Sequence, residues 1–564
     1  MSKLISTLIA LAAGLLLAAT SQASPPPVRF AHGMVVAANP LAAEAGVKVL
    51  KAGGNAVDAA VAVQSVLGLV EPQSSGVGGG AFMTFYDART HKVTAYNGRE
   101  TAPAAATPAF FLKADGAPIP FFEAILSGRS TGPPGAMALL GLAYQQHGSM
   151  AWGDIFNEPI RLARDGFTVS PRLQSFISAP VPQAGAPDVV AYFTKSDGTR
   201  YKAGDLLKNP AYARTLAAIA VGGVDVLYSG PIGADIAARV QKDPGGVLTV
   251  ADLRAYRAKA TDGLCRPYRI YIVCVPPSPS GGVALLEMLG LLQRTDIDKR
   301  GPADPIAWLE LAQAQRLAYA DRDRYLGDPD FIKEPTQGLL SDAYLDQRAR
   351  LIGDRAGPAP APGSPPGAPD AGSDATREAG GTSHFVVVDR QGNVVSMTTS
   401  VESVFGSGRM VDGFFVNNQL TDFSFQPKDK DGRPAANAVA AGKRPRSAMT
   451  PVIVLDRKGG FYAALGSPGG GAILAYNLKT LVGVLDWKLS MQQAISLPNL
   501  IASGDRFNAE VDKFAPGVAK GLTDLGVTVS AGRGENSGLH GVIVRGATLQ
   551  GGADPRREGV VLAD

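Results

Sequence analysis

A chain of 564 residues with 45% hydrophobic side chains can bury a substantial core, and its size allows two or three domains or one large mixed fold. The formal net charge is only +4, acids and bases are interspersed, and the densest basic stretch, "GKRPRS" at 442–447, is too short to argue for nucleic acid. Beyond the first residues no apolar run nears the ~20 positions of a membrane helix, which excludes a spanning role for the mature chain.

The start, "MSKLISTLIALAAGLLLAATSQAS", combines Lys3, a short apolar run and the small residues Ser21 and Ala23. This pattern predicts an export signal over residues 1–23 and a periplasmic or secreted mature protein. The alternative, an uncleaved anchor, fits less well because "SPPP" follows at once. "AANPLAAEAGVKVLKAGGNAVDAAVAVQSVLGLVEP" predicts two helices rich in small residues, with Asn39 as N-cap, Pro40 in the first turn and a break at Gly53 and Gly54. "SSGVGGGAFMTFYDARTHKVTAYNGRE" predicts a Gly-rich turn and a hairpin. Residues 133–330 read as mostly helical, most clearly "DPIAWLELAQAQRLAYADRDRYL".

The two cysteines lie in "GLCRPYRIYIVCVPP". If Arg269 and Ile270 form a two-residue turn, Cys265 faces Cys274 directly across a hairpin. In an oxidising compartment that pair reads as a structural disulfide, with two buried thiols as the alternative, and its spacing excludes a CxxC site. Residues 355–381, "RAGPAPAPGSPPGAPDAGSDATREAGG", carry almost no bulky apolar side chains and read as a mobile tail outside any core. Beyond it, "HFVVVD", "NVVSMTTSVE", "GFFVNN", "TPVIVLD" and "GFYAALGS" predict antiparallel strands; helices return near "GAILAYNLKTLVGVLDW" and "MQQAISLPNLI", and no internal repeat is visible.

Thr382 stands at the seam between tail and strand. With the "DRQGN" turn centred near Gln391, paired positions sum to about 782, which sets Thr382 across from Ser400. Alternation then points Thr398, Ser400 and Glu402 to one face, either a polar pocket or a solvated sheet surface. A threonine hydroxyl needs a base to act as nucleophile. His384, two residues along the strand, would lie roughly 6–7 Å away, too far for direct transfer. Cleavage between Gly381 and Thr382 would supply another base, an α-amine of pKa about 7.7–8.0 tethered to its own Oγ. Gly381 would allow the strained backbone that such a cleavage needs; the alternative is an ordinary Gly-rich linker.

The segments "TSHFVVVDRQGN", "TTSVESVFGSG", "NNQLTDFS", "KRPRSAMTP" and "GSPGGG", preceded in order by "GGNAVDAAVA", "GVGGGAFM", "NGRETAPA", "ARDGF", "PPSPSGG" and "YADRDRYLGDPDF", resemble the γ-glutamyltranspeptidases. These are N-terminal-nucleophile hydrolases that cleave themselves before a threonine. The resemblance covers nearly the whole mature chain. It implies an α+β fold, a four-layer αββα sandwich with two antiparallel sheets between helical layers. A large subunit over 24–381 and a small catalytic subunit over 382–564 would together form a heterodimer.

The resemblance also implies site residues. Thr382 matches the nucleophile and Ser400 the hydroxyl that helps to activate it. Gly469 and Gly470 match the oxyanion-hole amides, which suits glycine because it lets the backbone approach a tetrahedral oxygen closely. Arg99 matches the arginine that holds the donor α-carboxylate, Gln419 and Asp422 the positions that hold its α-ammonium, and Ser447 one hydroxyl of a carboxylate-binding serine pair. The implied activity is transfer of a γ-glutamyl group, as from glutathione, to water or to an amino-acid or peptide acceptor, with no metal or organic cofactor.

Two positions depart from the better-known members: Glu402 stands in place of asparagine and Ala448 in place of the second serine. Residues 426–442 also lack the tyrosine that caps the pocket in some bacterial members. Three rival functions remain. One is an acylase of the same fold acting on glutaryl amides, as cephalosporin acylases do; another is a serine hydrolase built on Ser130 in "GRSTG"; the third is a secreted, non-catalytic amino-acid-binding protein.

Overall fold

The computed structural model describes residues 30–374, 376–532 and 537–564. The expected export signal at 1–23 lies outside the described residues.

Nearly every alternating run becomes a strand. In chain order the elements that shape the centre are β1 (Met34–Ala37), α1 (Pro40–Lys51), α2 (Ala56–Val70), β2 (Gly80–Asp87), β3 (Lys92–Gly98), α3 (Ala136–His147), β4 (Lys259–Asp262), β5 (Leu264–Tyr268) and β6 (Tyr271–Val275). They are followed by α4 (Gly282–Leu292), α5 (Pro305–Tyr325), β7 (Gly381–Val388), β8 (Val394–Glu402), β9 (Val452–Leu455), β10 (Phe461–Gly466), α6 (Ile473–Leu485), β11 (His540–Arg545), β12 (Thr548–Ala553) and β13 (Val560–Ala563). Asn39 caps α1 by accepting the Leu41 N–H, a contribution of about 1 kcal/mol. Asn55 forms a capping box with Asp58 at the start of α2, where the small-residue pattern had implied a break.

The strands form two sheets of order β13-β1-β7-β8-β2-β3-β4 and β12-β11-β10-β9-β6-β5, antiparallel throughout. Side-chain parity sorts the layers. Val36, Val386, Val388 and Val394 from the first sheet meet Ile453, Ala464 and Val542 from the second. The opposite faces carry Val35, Phe385, Val387 and Met397 onto α1, α2 and α3, and Val452, Val454 and Leu465 onto α4, α5 and α6. The result is an αββα sandwich. Because both faces of β7 are covered, its sequence reads as an almost unbroken apolar run instead of an alternating one.

Cys265 pairs with Cys274 across the β5–β6 hairpin and the two are disulfide-bonded. Two expectations need correction. "GFFVNN" forms only a two-residue rung, Phe414–Phe415 against Met410–Val411, outside both large sheets. In this uncleaved chain, segment 355–381 is tied to the body by polar groups: Gly363 N–H donates to Asp321, Gly372 N–H to the Pro434 carbonyl, Asp374 N–H to the Asp323 carbonyl, and Ala379 N–H to Glu402. Its composition keeps it largely out of the core, yet backbone amides and carboxylates need no bulky side chains to be held.

Candidate active site

β7 and β8 pair in the register that the turn predicts, with Thr382 opposite Ser400 and His384 opposite Thr398. Thr382 has the same parity as Val386 and Val388, so its side chain enters the space between the sheets, at the strand end where apolar packing gives way to polar groups. The Thr382 and Ser400 hydroxyl oxygens lie 3.1 Å apart. Ser400 Oγ donates to the Gly381 carbonyl at 2.7 Å and accepts the Glu402 N–H at 2.8 Å. A hydroxyl has one proton, and Ser400 gives it to Gly381; Thr382 is therefore the donor in the contact between the two side chains. The Thr382 carbonyl accepts from Arg557 Nη1 at 2.9 Å, which fixes the backbone behind the nucleophile candidate.

Gly381 differs from expectation. It sits in extended strand without a left-handed φ, and its lack of a side chain serves space: a Cβ there would lie 2.5 Å from the Glu402 carbonyl oxygen and 2.6 Å from that of Ser403. Glu402 departs from simple alternation. A β-bulge follows Ser400 and gives Glu402 a φ of 83°, a region that favours Gly and Asn.

One small cavity of about 10 Å³, room for about one water, is lined by Arg99, Thr382, Ser400, Glu402, Gln419, Asp422, Ser447, Ala448 and Gly470, among others. At one pole the buried Arg99 pairs with Gln419 Oε1 and Asp422 Oδ2 and donates to the Pro445 and Arg446 carbonyls. Gln419 and Asp422 share one 3-10 turn, and Gln419 Nε2 donates to the Ser400 carbonyl at 2.9 Å, coupling this pole to β8. Asp422 Oδ1 is buried and receives no N–H donor, and the Asp422 carboxyl lies against that of Glu402. Burial raises the Asp422 carboxyl above its ordinary range against the pull of Arg99; burial and the neighbouring Asp422 charge raise Glu402 further. Ser447 Oγ accepts the Met449 N–H at 3.1 Å, leaving its own proton for a ligand.

At the other pole Gly469 and Gly470, with φ of 137° and 55°, turn the chain from β10 into α6. Gly470 lines the cavity, with Gly469 just before it in the turn. Both conformations suit glycine, and the following helix N-terminus adds positive potential. The segment before Gly381 passes over this turn: a Cβ on Gly470 would lie 2.4 Å from the Ala379 carbonyl oxygen. Glu378 projects into the cavity and pairs with Arg322 of α5.

The expected site residues thus converge from six separate stretches. Three further residues have no local sequence signal: Glu378, Arg322, and Glu100, which lies 3.9 Å from Arg99 and is raised by burial to about 8. His384 is not a base for Thr382. Its Nδ1 is 2.9 Å from Thr398 Oγ1, and burial holds its pKa well below the usual value. Ser130 is buried in a 3-10 turn, its one hydroxyl proton within reach of the Ile125 carbonyl at 2.7 Å, which leaves no nucleophile elbow. Among the described residues no group of three or more His, Cys, Asp or Glu could hold a metal ion.

The family described as gamma-glutamyltranspeptidase matches residues 42–564. The chain is 34% identical over 547 residues to the glutathione hydrolase proenzyme of Bacillus subtilis (strain 168) and 35% identical over 547 residues to that of Escherichia coli (strain K12), covering 94% of this chain and 91% of the relative in both cases. The solved cephalosporin acylase from Bacillus halodurans is similar in structure, with a TM-score of 0.84 at 26% identity, covering 96% of this chain and 97% of that one. A match that runs from α1 to the last residue, together with a threonine at the start of a buried strand and a glycine turn beside it, places this chain in the γ-glutamyltranspeptidase family of N-terminal-nucleophile hydrolases.

Proposed function

We propose that the protein is a self-processing γ-glutamyl hydrolase and transpeptidase that acts through an ester on Thr382. The observation that carries this reading is the Gly381–Thr382–Ser400 arrangement: a hydroxyl hydrogen-bonded to a serine that at the same time polarises the adjoining peptide carbonyl.

That geometry supports the following maturation. Thr382 Oγ adds to the Gly381 carbonyl carbon, and the C–N bond to Thr382 breaks as the hydroxyl proton passes to the departing nitrogen. Water then hydrolyses the ester, leaving a carboxylate on Gly381 and a free Thr382 with an α-amine. Each large sheet draws strands from both sides of this bond, so the two fragments remain interleaved as a heterodimer. An exported precursor fits the predicted signal, and among the described residues no helix is long and apolar enough to cross a membrane.

In the processed enzyme the Thr382 amine takes the proton from Oγ during attack on the γ-amide and returns it to the leaving amine, while the Gly469 and Gly470 amides hold the oxyanion. Arg99 and Ser447 bind the donor α-carboxylate; Gln419, Asp422 and Glu402 accept from its α-ammonium. Water or an amine then releases the γ-glutamyl group. Thr382→Ala tests this: it is expected to remain one chain and to hydrolyse no γ-glutamyl-p-nitroanilide, and normal processing would overturn the assignment.

A second reading, a glutaryl-amide acylase, draws support from the structural likeness to the Bacillus halodurans enzyme. Glutaryl groups lack the ammonium, so two buried carboxyls at this pole favour the γ-glutamyl donor. Comparing γ-glutamyl and glutaryl anilides decides; faster glutaryl cleavage reverses the order.

A further inference from the structure

Arg322 lies in the last turn of α5 and is buried. Its Nη2 pairs with Glu378, its Nη1 donates to Asp323 Oδ1 at 3.2 Å, and its Nε has no hydrogen-bond partner. One helical turn earlier, Tyr319 donates to the Gly471 carbonyl, so this face of α5 abuts the glycine turn. The guanidinium stands behind Glu378, which itself lines the cavity beside Thr382.

Glu378 belongs to the segment whose carbonyls press on Gly470, and a substrate cannot use that turn until the segment leaves. Once the bond after Gly381 is cut, the stretch 378–381 is no longer joined to Thr382. Its departure strips Arg322 of a carboxylate and opens the guanidinium to the cavity. A buried arginine with one unpartnered donor and a lost ion-pair partner is costly unless another anion takes the place. The donor's own α-carboxylate is held at the opposite pole by Arg99. Beyond the scissile carbonyl, on the side of the glycine turn, lies the position of the leaving amine and, in the reverse sense, of the acceptor.

Resting on the reading above, we propose that Arg322 forms a carboxylate subsite for the leaving and accepting amines, occupied by Glu378 in the uncleaved chain. The enzyme then selects amines that carry a carboxylate, as amino acids and peptides do, and Glu378 is an internal stand-in for them.

Two ratios on processed enzyme test this and separate the two sources of the carboxylate. The donor arm compares kcat/KM for γ-glutamyl-3-carboxy-4-nitroanilide and γ-glutamyl-4-nitroanilide. The acceptor arm compares transfer to glycylglycine and to glycylglycinamide. Each ratio is internal to one enzyme preparation, so the fraction processed cancels. Arg322→Gln is expected to lower one or both ratios by about tenfold or more, the scale of a charge-assisted hydrogen bond. Arg322→Lys should recover part of the effect, and Glu378→Gln should keep the wild-type ratios. Wild-type ratios in both arms of an active Arg322→Gln enzyme overturn the subsite while leaving the function above intact. Should Arg322→Gln not mature, the wild type still decides: transfer to glycylglycinamide as good as to glycylglycine, with no preference for the carboxylated donor, overturns it.

Discussion

Ser400 donates its single hydroxyl proton to the carbonyl of Gly381 at 2.7 Å, so the Gly381–Thr382 peptide bond, the proposed cleavage site, is polarised by the cross-strand neighbour of Thr382. Ser400→Ala removes that donor and the hydrogen-bond acceptor for Thr382. Self-cleavage is expected to slow by roughly 100-fold, the scale of losing one oxyanion donor, whereas Ser400→Thr retains most of the rate. The conversion of single chain to two fragments, followed on denaturing gels, measures this; wild-type cleavage in the alanine variant would remove Ser400 from the mechanism.

Gly381→Ala should hinder maturation for a steric reason. The added methyl meets two carbonyl oxygens of the bulged strand at 2.5 and 2.6 Å, and the strand end must shift to admit it. The expected result is slow or absent cleavage and a loss of about 1–3 kcal/mol in stability. Cleavage and melting temperature equal to wild type would show that this end of β7 is more yielding than its packing implies.

Ala448 lines the cavity next to Ser447, whose hydroxyl proton is free. Ala448→Ser adds a second donor for the donor α-carboxylate. KM for γ-glutamyl-p-nitroanilide should fall about three- to tenfold, the net worth of one hydrogen bond, with a smaller change in kcat. An unchanged KM would place the carboxylate elsewhere.

Burial lowers His540 to about 4 and holds His384 well below its usual range, helped by the proximity of His540. From the unfolded value near 6.5 down to about 4, the unfolded chain binds a proton that the folded chain refuses at His540. Stability from this residue is complete above pH 6.5 and declines as pH falls towards 4, by roughly 3 kcal/mol in total. Denaturant melts between pH 7.5 and 4.5 should show a shallower acid loss in His540→Gln. Parallel pH profiles for the two proteins would refute this.

Local physics made part of the protein legible in its sequence. A tight turn and a period of two suffice to place Thr382 opposite Ser400 and Cys265 opposite Cys274, because hairpin register depends on a few adjacent residues. Asn39 and Pro40 similarly mark the start of α1 within one turn of chain. Arithmetic failed first at Glu402, where a bulge breaks the alternation, and at "GFFVNN", whose strand composition found only a two-residue partner outside the large sheets. Only the tertiary structure brought Arg99 onto Gln419 and Asp422, more than 300 positions apart, and set Arg322 behind Glu378 at the edge of the same cavity. Those meetings depend on how two sheets stack and which helix covers them, and the long-range packing that decides this leaves no periodic trace in the segments it joins.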